Sequence, residues 1–158
     1  MPFQILVNLI IALTWMYLNA EWTPISFCIG YVIGLVLLFL LRRFLTDKFY
    51  AFRLWALLKL LLIFLKELVI SSVSVAKLVL KPNLDMKPGI FALKTELKTD
   101  WEITTLACLI TLTPGTLTLD ISPKGDILYI HALDVPDVEE AIQGIKNSFE
   151  KAIMEVSR

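Results

Sequence analysis

The sequence predicts a membrane protein: an N-terminal transmembrane α-helical hairpin, a third amphipathic or membrane helix, and a small cytoplasmic α+β domain in the order β-α-β-β-α. Three observations carry this. Glu21 is the only charged residue between Met1 and Leu41. The apolar stretch from Ala51 to Leu80 gathers most of its charges on one narrow stripe. From Pro82 onward the apolar pattern changes to short strands and helices punctuated by proline and glycine. The boundaries that follow are 1–45 for the hairpin, 46–81 for the membrane-associated helix and 82–158 for the cytoplasmic domain.

The composition agrees. Charged residues are 19% and hydrophobic residues 57% of the 158, against roughly 25% charged in a soluble domain. Mean hydropathy is +0.73. The net charge of zero conceals an asymmetry: residues 1–80 hold seven basic and three acidic side chains, and residues 81–158 hold eight and twelve. A basic membrane half is thus joined to an acidic soluble half. No basic cluster marks the soluble side, which excludes nucleic acid as a partner. Cys28 lies in an apolar segment and Cys108 in the soluble half, so no disulfide is expected and a reducing, cytoplasmic side fits.

Phe3 to Asn19 predicts the first helix. Its 17 residues reach about 25 Å at 1.5 Å per residue, short of a hydrocarbon core of roughly 30 Å. It is not a signal peptide, because it lacks a charged leading region and a second apolar run follows at once. Glu21, Trp22, Thr23 and Pro24 form the turn. Ile25 to Leu41 is the second helix, with Gly30 and Gly34 at a spacing that permits close helix approach. Arg42, Arg43, Lys48 and Arg53 form a basic loop, which the positive-inside rule assigns to the cytoplasm. In the third helix Lys59, Lys66, Ser74, Lys77 and Lys81 share the stripe, with Glu67 at its edge. Both flanks of this helix are basic. Two spans plus an interfacial helix are therefore expected, with three spans as the alternative.

In the soluble part Phe91, Leu93, Thr95 and Leu97 alternate with Lys94, Glu96 and Lys98 as a half-buried strand. Thr99 to Glu102 has capping-box spacing, which starts a helix running to Leu112. Thr113-Pro114-Gly115-Thr116 stops it. Leu117, Leu119 and Ile121 alternate as a second strand, Ser122 to Asp126 is a turn, and Ile127 to Leu133 is a third strand. A last helix begins near Pro136 with Val138, Ala141, Ile142, Ile145, Phe149, Ala152, Ile153 and Val156 on one face.

Signals of catalysis are missing. There is no phosphate-binding glycine loop, no paired-cysteine metal spacing and no nucleophile elbow, so no enzyme, cofactor or metal site is expected. His131 reads as a structural or surface residue, and Glu139 and Glu140 as first-turn acids that suit the helix dipole. The candidate ion-path or subunit-interface residues are Lys59, Lys66 and Glu67 in the third helix, because ionisable groups near membrane depth often mark ion pathways, together with Thr113, Pro114, Gly115 and Thr116, whose hydroxyls and carbonyls are hard-cation ligand types. Against these stand a water- or headgroup-facing stripe and a plain helix stop.

The stretches PFQILVNLIIALTWMYL (Pro2–Leu18), GYVIGLVLLFLLRRF (Gly30–Phe44), KPGIFALKTELKTD (Lys87–Asp100), WEITTLACLITLTPGTLT (Trp101–Thr118), LYIHA (Leu128–Ala132) and Glu140 to Val156 together resemble the E subunit of the bacterial Mrp (Mnh) type sodium/proton antiporter, with ITLTPGT the most specific segment. The resemblance implies an accessory subunit of a multisubunit complex in the plasma membrane, multi-pass, with the C-terminal domain cytoplasmic. Its partners would be the other Mrp subunits and membrane lipid, and the complex would export cytoplasmic Na+ in exchange for H+, driven by the proton motive force, with pH homeostasis as its setting. The alternative is a stand-alone membrane-anchored cytoplasmic binding module.

Overall fold

A computed structural model of the chain describes residues 2–44, 50–82 and 86–157; Lys48, part of the expected basic loop, and residues 83–85, at the expected start of the soluble part, lie outside them. Two compact units divide the chain, Met1–Trp55 and Ala56–Arg158.

The first unit is a helical hairpin. α1 spans Pro2–Leu18 and α2 spans Pro24–Leu40, followed by a 3-10 turn at Leu41–Phe44. The junction is built locally. Ala20 turns the chain with φ 52°, and the Thr23 hydroxyl accepts the Ser26 amide at 3.1 Å ahead of Pro24 at the first helical position. Thr23 thus satisfies one of the free amides of the helix start, and proline there has no amide to lose. Ser26, Gly30, Gly34 and Leu38 form the buried edge of α2. A Cβ on Gly30 would stand 2.9 Å from the Ala12 backbone, and one on Gly34 would overlap the Asn8 amide oxygen. The two helices therefore approach to a distance that only glycine permits.

Polar groups line that contact. Asn8 Nδ2 donates to Tyr50 Oη at 2.7 Å, Tyr50 Oη donates to Tyr31 Oη at 3.1 Å, and the Tyr50 amide donates to Gln4 Oε1 at 2.9 Å. Gln4, Asn8 and Tyr50 are buried. Among the described residues Asn8 Oδ1 has no hydrogen-bond partner, and it lies against Gly34.

The second unit holds most of the long helix α3 (Tyr50–Val79), a sheet of β1 (Gly89–Lys94), β2 (Thr116–Ile121) and β3 (Ile127–Ala132), and the helices α4 (Asp100–Leu112), α5 (Val138–Ile145) and α6 (Lys151–Ser157). α5 and α6 are joined through a π turn at Lys146–Glu150. The strand order is β1-β3-β2, antiparallel throughout. One sheet face, with Phe91, Leu93, Leu128, Ile130 and Ala132, packs on Ile103, Leu106 and Ile110 of α4 and on Phe149, Ala152, Ile153 and Val156. Ala56 and Leu60 of α3 belong to the same core, with Ile63 and Phe64 against it.

Two expectations are corrected in the sheet. The first strand ends at Lys94 although burial still alternates through Leu97. The buried Glu150 carboxylate accepts the Thr95 hydroxyl at 2.8 Å and the Glu96 amide, so this backbone turns to a side chain instead of to a neighbouring strand. In β2 the alternation would put Leu117, Leu119 and Ile121 on the core face. Instead Leu117 and Leu119 are exposed, because Thr118 pairs with the buried Ile130 and a bulge between Thr118 and Asp120 makes Leu119 an extra residue. Thr118 tolerates the inward position because α4 meets it: its amide donates to Thr111 Oγ1 at 3.2 Å and its hydroxyl to the Ala107 carbonyl at 3.3 Å. Val138, expected on the buried face of the last helix, is exposed in the first turn of α5.

α4 carries the predicted capping box, Thr99 with Glu102. Glu102 is buried and accepts the Lys98 and Thr99 amides, each at 3.0 Å. Burial works against its charged form. Hydrogen bonds from the Ser157 hydroxyl, the two amides and the Thr99 hydroxyl outweigh it and hold the carboxyl at about 2, below the ordinary 4.5.

Gly34→Ala forces Asn8 to move, and we expect it to destabilise the hairpin by about 1–3 kcal/mol, as overpacking does. Gly144→Ala has open space around the new methyl and should be neutral or stabilising by up to about 1 kcal/mol. Thermal unfolding of the purified chain reads both, and a Gly34→Ala variant as stable as the parent would refute the close-packed contact. For Glu102 the lowered value means that its carboxylate stabilises the fold fully above pH 4.5 and loses this contribution as pH falls toward 2. The gap in unfolding temperature between the parent and Glu102→Gln should therefore shrink from pH 5 to pH 2.5; a pH-independent gap would contradict the assignment.

Candidate functional site

The turn Thr113-Pro114-Gly115-Thr116 is the best-defined local device of the second unit. Its shape follows from its sequence. Pro114 cannot continue α4, and Gly115 adopts φ +92°. Thr113 and Thr116 then fold their hydroxyls back on the helix end. Thr113 Oγ1 and Thr116 Oγ1 each lie 2.7 Å from the Ile110 carbonyl and 2.9 Å from one another. Two hydroxyl protons thus serve three mutually close oxygens, a closed knot around the Ile110 carbonyl at the end of α4. Thr113 is buried. Gly115 also marks a close approach: a Cβ there would stand 3.1 Å from Val75 Cγ2 of α3.

Beside this turn lies a cavity of about 310 Å³. Thr113, Pro114 and Thr116 line it from one side and Glu67 and Ser71 of α3 from another, with Asp134 and Ser148 completing the polar groups. The remaining wall is apolar and includes Phe91, Ile110, Val135, Ile145 and Phe149. A second cavity of about 380 Å³ is lined by Gly115, shares Ser71, Pro114, Thr116 and Asp134, and extends along α3 to Lys77 and Lys81. The candidates Glu67, Thr113, Pro114 and Thr116, far apart in sequence, thus border one space.

Lys59 and Lys66 do not join them. Lys59 Nζ pairs with Glu155 at 2.6 Å on a partly exposed surface. Lys66 Nζ lies 3.8 Å from Glu67 Oε1 and is mostly exposed, so this pair is loosely held. Among the described residues no group of three or more His, Cys, Asp or Glu is gathered as metal ligands. His131 pairs in register with Ile90 and Leu117 on the sheet face away from the helices. The sequence reading missed Asp134, Ser148 and the Gln4–Asn8–Tyr50 contacts. A signal for the last was present: Gln4 and Asn8 stand four residues apart in an otherwise apolar helix and so share a face.

α3 supplies the other notable surface. The face with Ala56, Leu60, Ile63, Phe64, Glu67, Ser71, Val75 and Leu78 is buried or half-buried, while Leu58, Leu61, Leu62, Leu65, Val69 and Val73 are exposed. In the first unit Ile5, Leu6, Leu9, Ile10, Leu13, Ile29, Val32 and Val36 are likewise exposed. Bare apolar surface on this scale marks an interface with lipid or protein.

The profile of a protein family described as Na+/H+ ion antiporter subunit matches residues 8–156. This chain belongs to that family. The E subunit of the Na+/H+ antiporter of Bacillus subtilis (strain 168) is 55% identical over the full length of both chains, and that of Alkalihalophilus pseudofirmus is 50% identical, also over both full lengths. A solved chain of the membrane-bound sulfane sulfur reductase, an archaeal respiratory membrane complex, shares 30% identity and a TM-score of 0.56 over 95% of this chain and 96% of its own. The match to these antiporter subunits runs through the hairpin, α3 and the α+β unit alike.

In this family member, Gly115→Ala combines an unfavourable positive φ with the Val75 contact, and a loss of about 1–2 kcal/mol is expected. Thr113→Ala leaves Thr116 on the Ile110 carbonyl and should cost only about 1 kcal/mol. Chemical denaturation of the membrane-extracted chain measures both; equal effects would mean that the turn is not held by its backbone geometry.

Proposed function

We propose how this chain, an accessory subunit of a multisubunit Na+/H+ antiporter, is built into its complex. The hairpin, residues 1–45, anchors it in the bacterial plasma membrane; the 46–81 segment lies in the membrane interface; and residues 82–158 stand in the cytoplasm. The complex exports Na+ in exchange for H+, driven by the proton motive force. This subunit contributes to assembly and activity and carries out no catalysis of its own. The observation that carries the reading is the bare apolar surface on α1, α2 and α3, in a chain whose relatives are named as antiporter subunits along their whole length.

Among the described residues no helix is long and apolar enough to cross a membrane. α1 and α2 have 17 residues each. In the proposed arrangement the bilayer thins locally or neighbouring subunits cover the helix ends, as happens with short spans. The length of α3 is sufficient, but its lysines favour an in-plane position with the apolar side toward the acyl chains. The turn at Thr113–Thr116, together with Glu67, then faces a neighbouring subunit near the membrane surface. Relatives that are named subunits favour this over a stand-alone binding module.

Two measurements test the proposal. Gentle solubilisation of the tagged chain from native membranes should recover it with several polytopic partners; recovery as a lone, folded monomer would refute it. For topology, the exposed Cys28 and Cys108 are first replaced by serine, and cysteines are then placed at Lys124 and Lys146. These should resist impermeant thiol reagents in intact cells and react in everted vesicles. Labelling from outside would overturn the cytoplasmic placement. In the same vesicles Pro114→Gly and Thr113→Ala should depress exchange while the complex still assembles; full exchange in both would remove the turn from the interface.

A further inference from the structure

We infer that the cavity between the C-terminal end of α3 and the Thr113–Thr116 turn is a headgroup site for an anionic phospholipid. The inference rests on the membrane placement proposed above. The cavity has a volume of about 380 Å³. Lys77, in the last turn of α3, and Lys81, just past the end of that helix, line it, and neither forms an ion pair among the described residues. Among the described residues the one carboxylate on its wall is Asp134, whose Oδ1 accepts the Lys87 amide at 3.1 Å. Two lysines therefore border a wall whose described carboxylate is already engaged, and the described wall is net cationic.

A lysine in the last turn of a helix also offsets the negative end of the helix dipole. That accounts for Lys77 alone. It leaves unexplained a second ammonium four residues later on the wall of the same cavity. The surroundings point to a lipid and not to free phosphate. Val73, four residues before Lys77, shares its side of the helix and is exposed, as are Ile70 one turn earlier and Leu80 just past the helix end. A phosphate held by the two lysines would leave its acyl chains against these side chains, which continue into the bare apolar face of α3. The hydroxyls on the wall turn inward to their own backbone: Ser74 Oγ donates to the Ile70 carbonyl at 2.9 Å and Thr116 Oγ1 to the Ile110 carbonyl at 2.7 Å. Selection of the headgroup thus falls to charge, which favours phosphatidylglycerol or cardiolipin over a zwitterionic lipid. Each lysine near an anionic headgroup contributes roughly five-fold in affinity, so the pair contributes about thirty-fold.

The test uses the whole complex in mild detergent, titrated with phosphatidylglycerol and read by native mass spectrometry. The Lys77→Gln/Lys81→Gln variant should bind it about thirty-fold more weakly than the parent. Lys77→Arg/Lys81→Arg, and a control with Lys94→Gln/Lys124→Gln, should bind as the parent does. Phosphatidylcholine should not compete, and neither should inorganic phosphate in excess. Unchanged binding in the Gln pair would overturn the site, and displacement by inorganic phosphate as effective as by phosphatidylglycerol would overturn the lipid assignment. A carbonate wash of the same membranes separates this from the broader reading. If the chain stays in the membrane and the lipid titration is unchanged by the Gln pair, the headgroup site alone fails; if the chain is released, the membrane placement fails.

Discussion

A helix that is apolar nearly all round must be covered on more than one side, and α3 imposes this constraint on the rest of the structure. One face, through Ala56, Leu60, Ile63 and Phe64, enters the core of the sheet unit. Burial of such side chains contributes roughly 1.5–3 kcal/mol each when complete, which makes α3 an integral part of that unit and no mere linker. The opposite face, Leu58 to Val73, stays bare. Whatever covers it also fixes the orientation of the α+β unit, because the same rigid helix carries both surfaces. The position of Glu67 and Ser71 beside the Thr113–Thr116 turn is a second result of the same packing.

The sheet unit shows how buried polar groups are kept in partnership. Glu150 takes the Thr95 hydroxyl and the Glu96 amide, Glu102 takes the amides of Lys98 and Thr99, and Thr113 and Thr116 close on Ile110. Each of these sits where a regular element ends and backbone groups would otherwise lack partners. Among the described residues Glu150 Oε2 remains without one. It lies at the end of the π turn of Lys146–Glu150, which places Glu150 at the end of β1.

Much of this was legible in the sequence because its signals are local. α1, α2 and α3 begin and end within one residue of the apolar runs that predict them, since Thr23, Pro24 and the polar flanks are strong boundaries. The capping box at Thr99–Glu102 and the stop at Pro114–Gly115 act over four residues and fall where expected. The side of β2 that faces inward was not legible. A bulge at Leu119 depends on pairing with β3, and a two-residue period carries no trace of an inserted residue. Nor was the gathering of Glu67 with Thr113 and Thr116, because periodicity tells which residues share a face and not what that face meets.

The hydrogen bonds of α1 give the chain an order of completion. Asn8 and Gln4 are made first, yet both bond to Tyr50, 42 and 46 residues later. While the ribosome is still making α2, these two amides have no Tyr50 to meet. Gly30 and Gly34 allow the two helices to close before Tyr50 is present. The Tyr50 hydrogen bonds to Asn8 and Gln4 are added only with the first turn of α3. A chain cut off before Tyr50 therefore leaves the Asn8 amide without its phenol partner in an apolar surface.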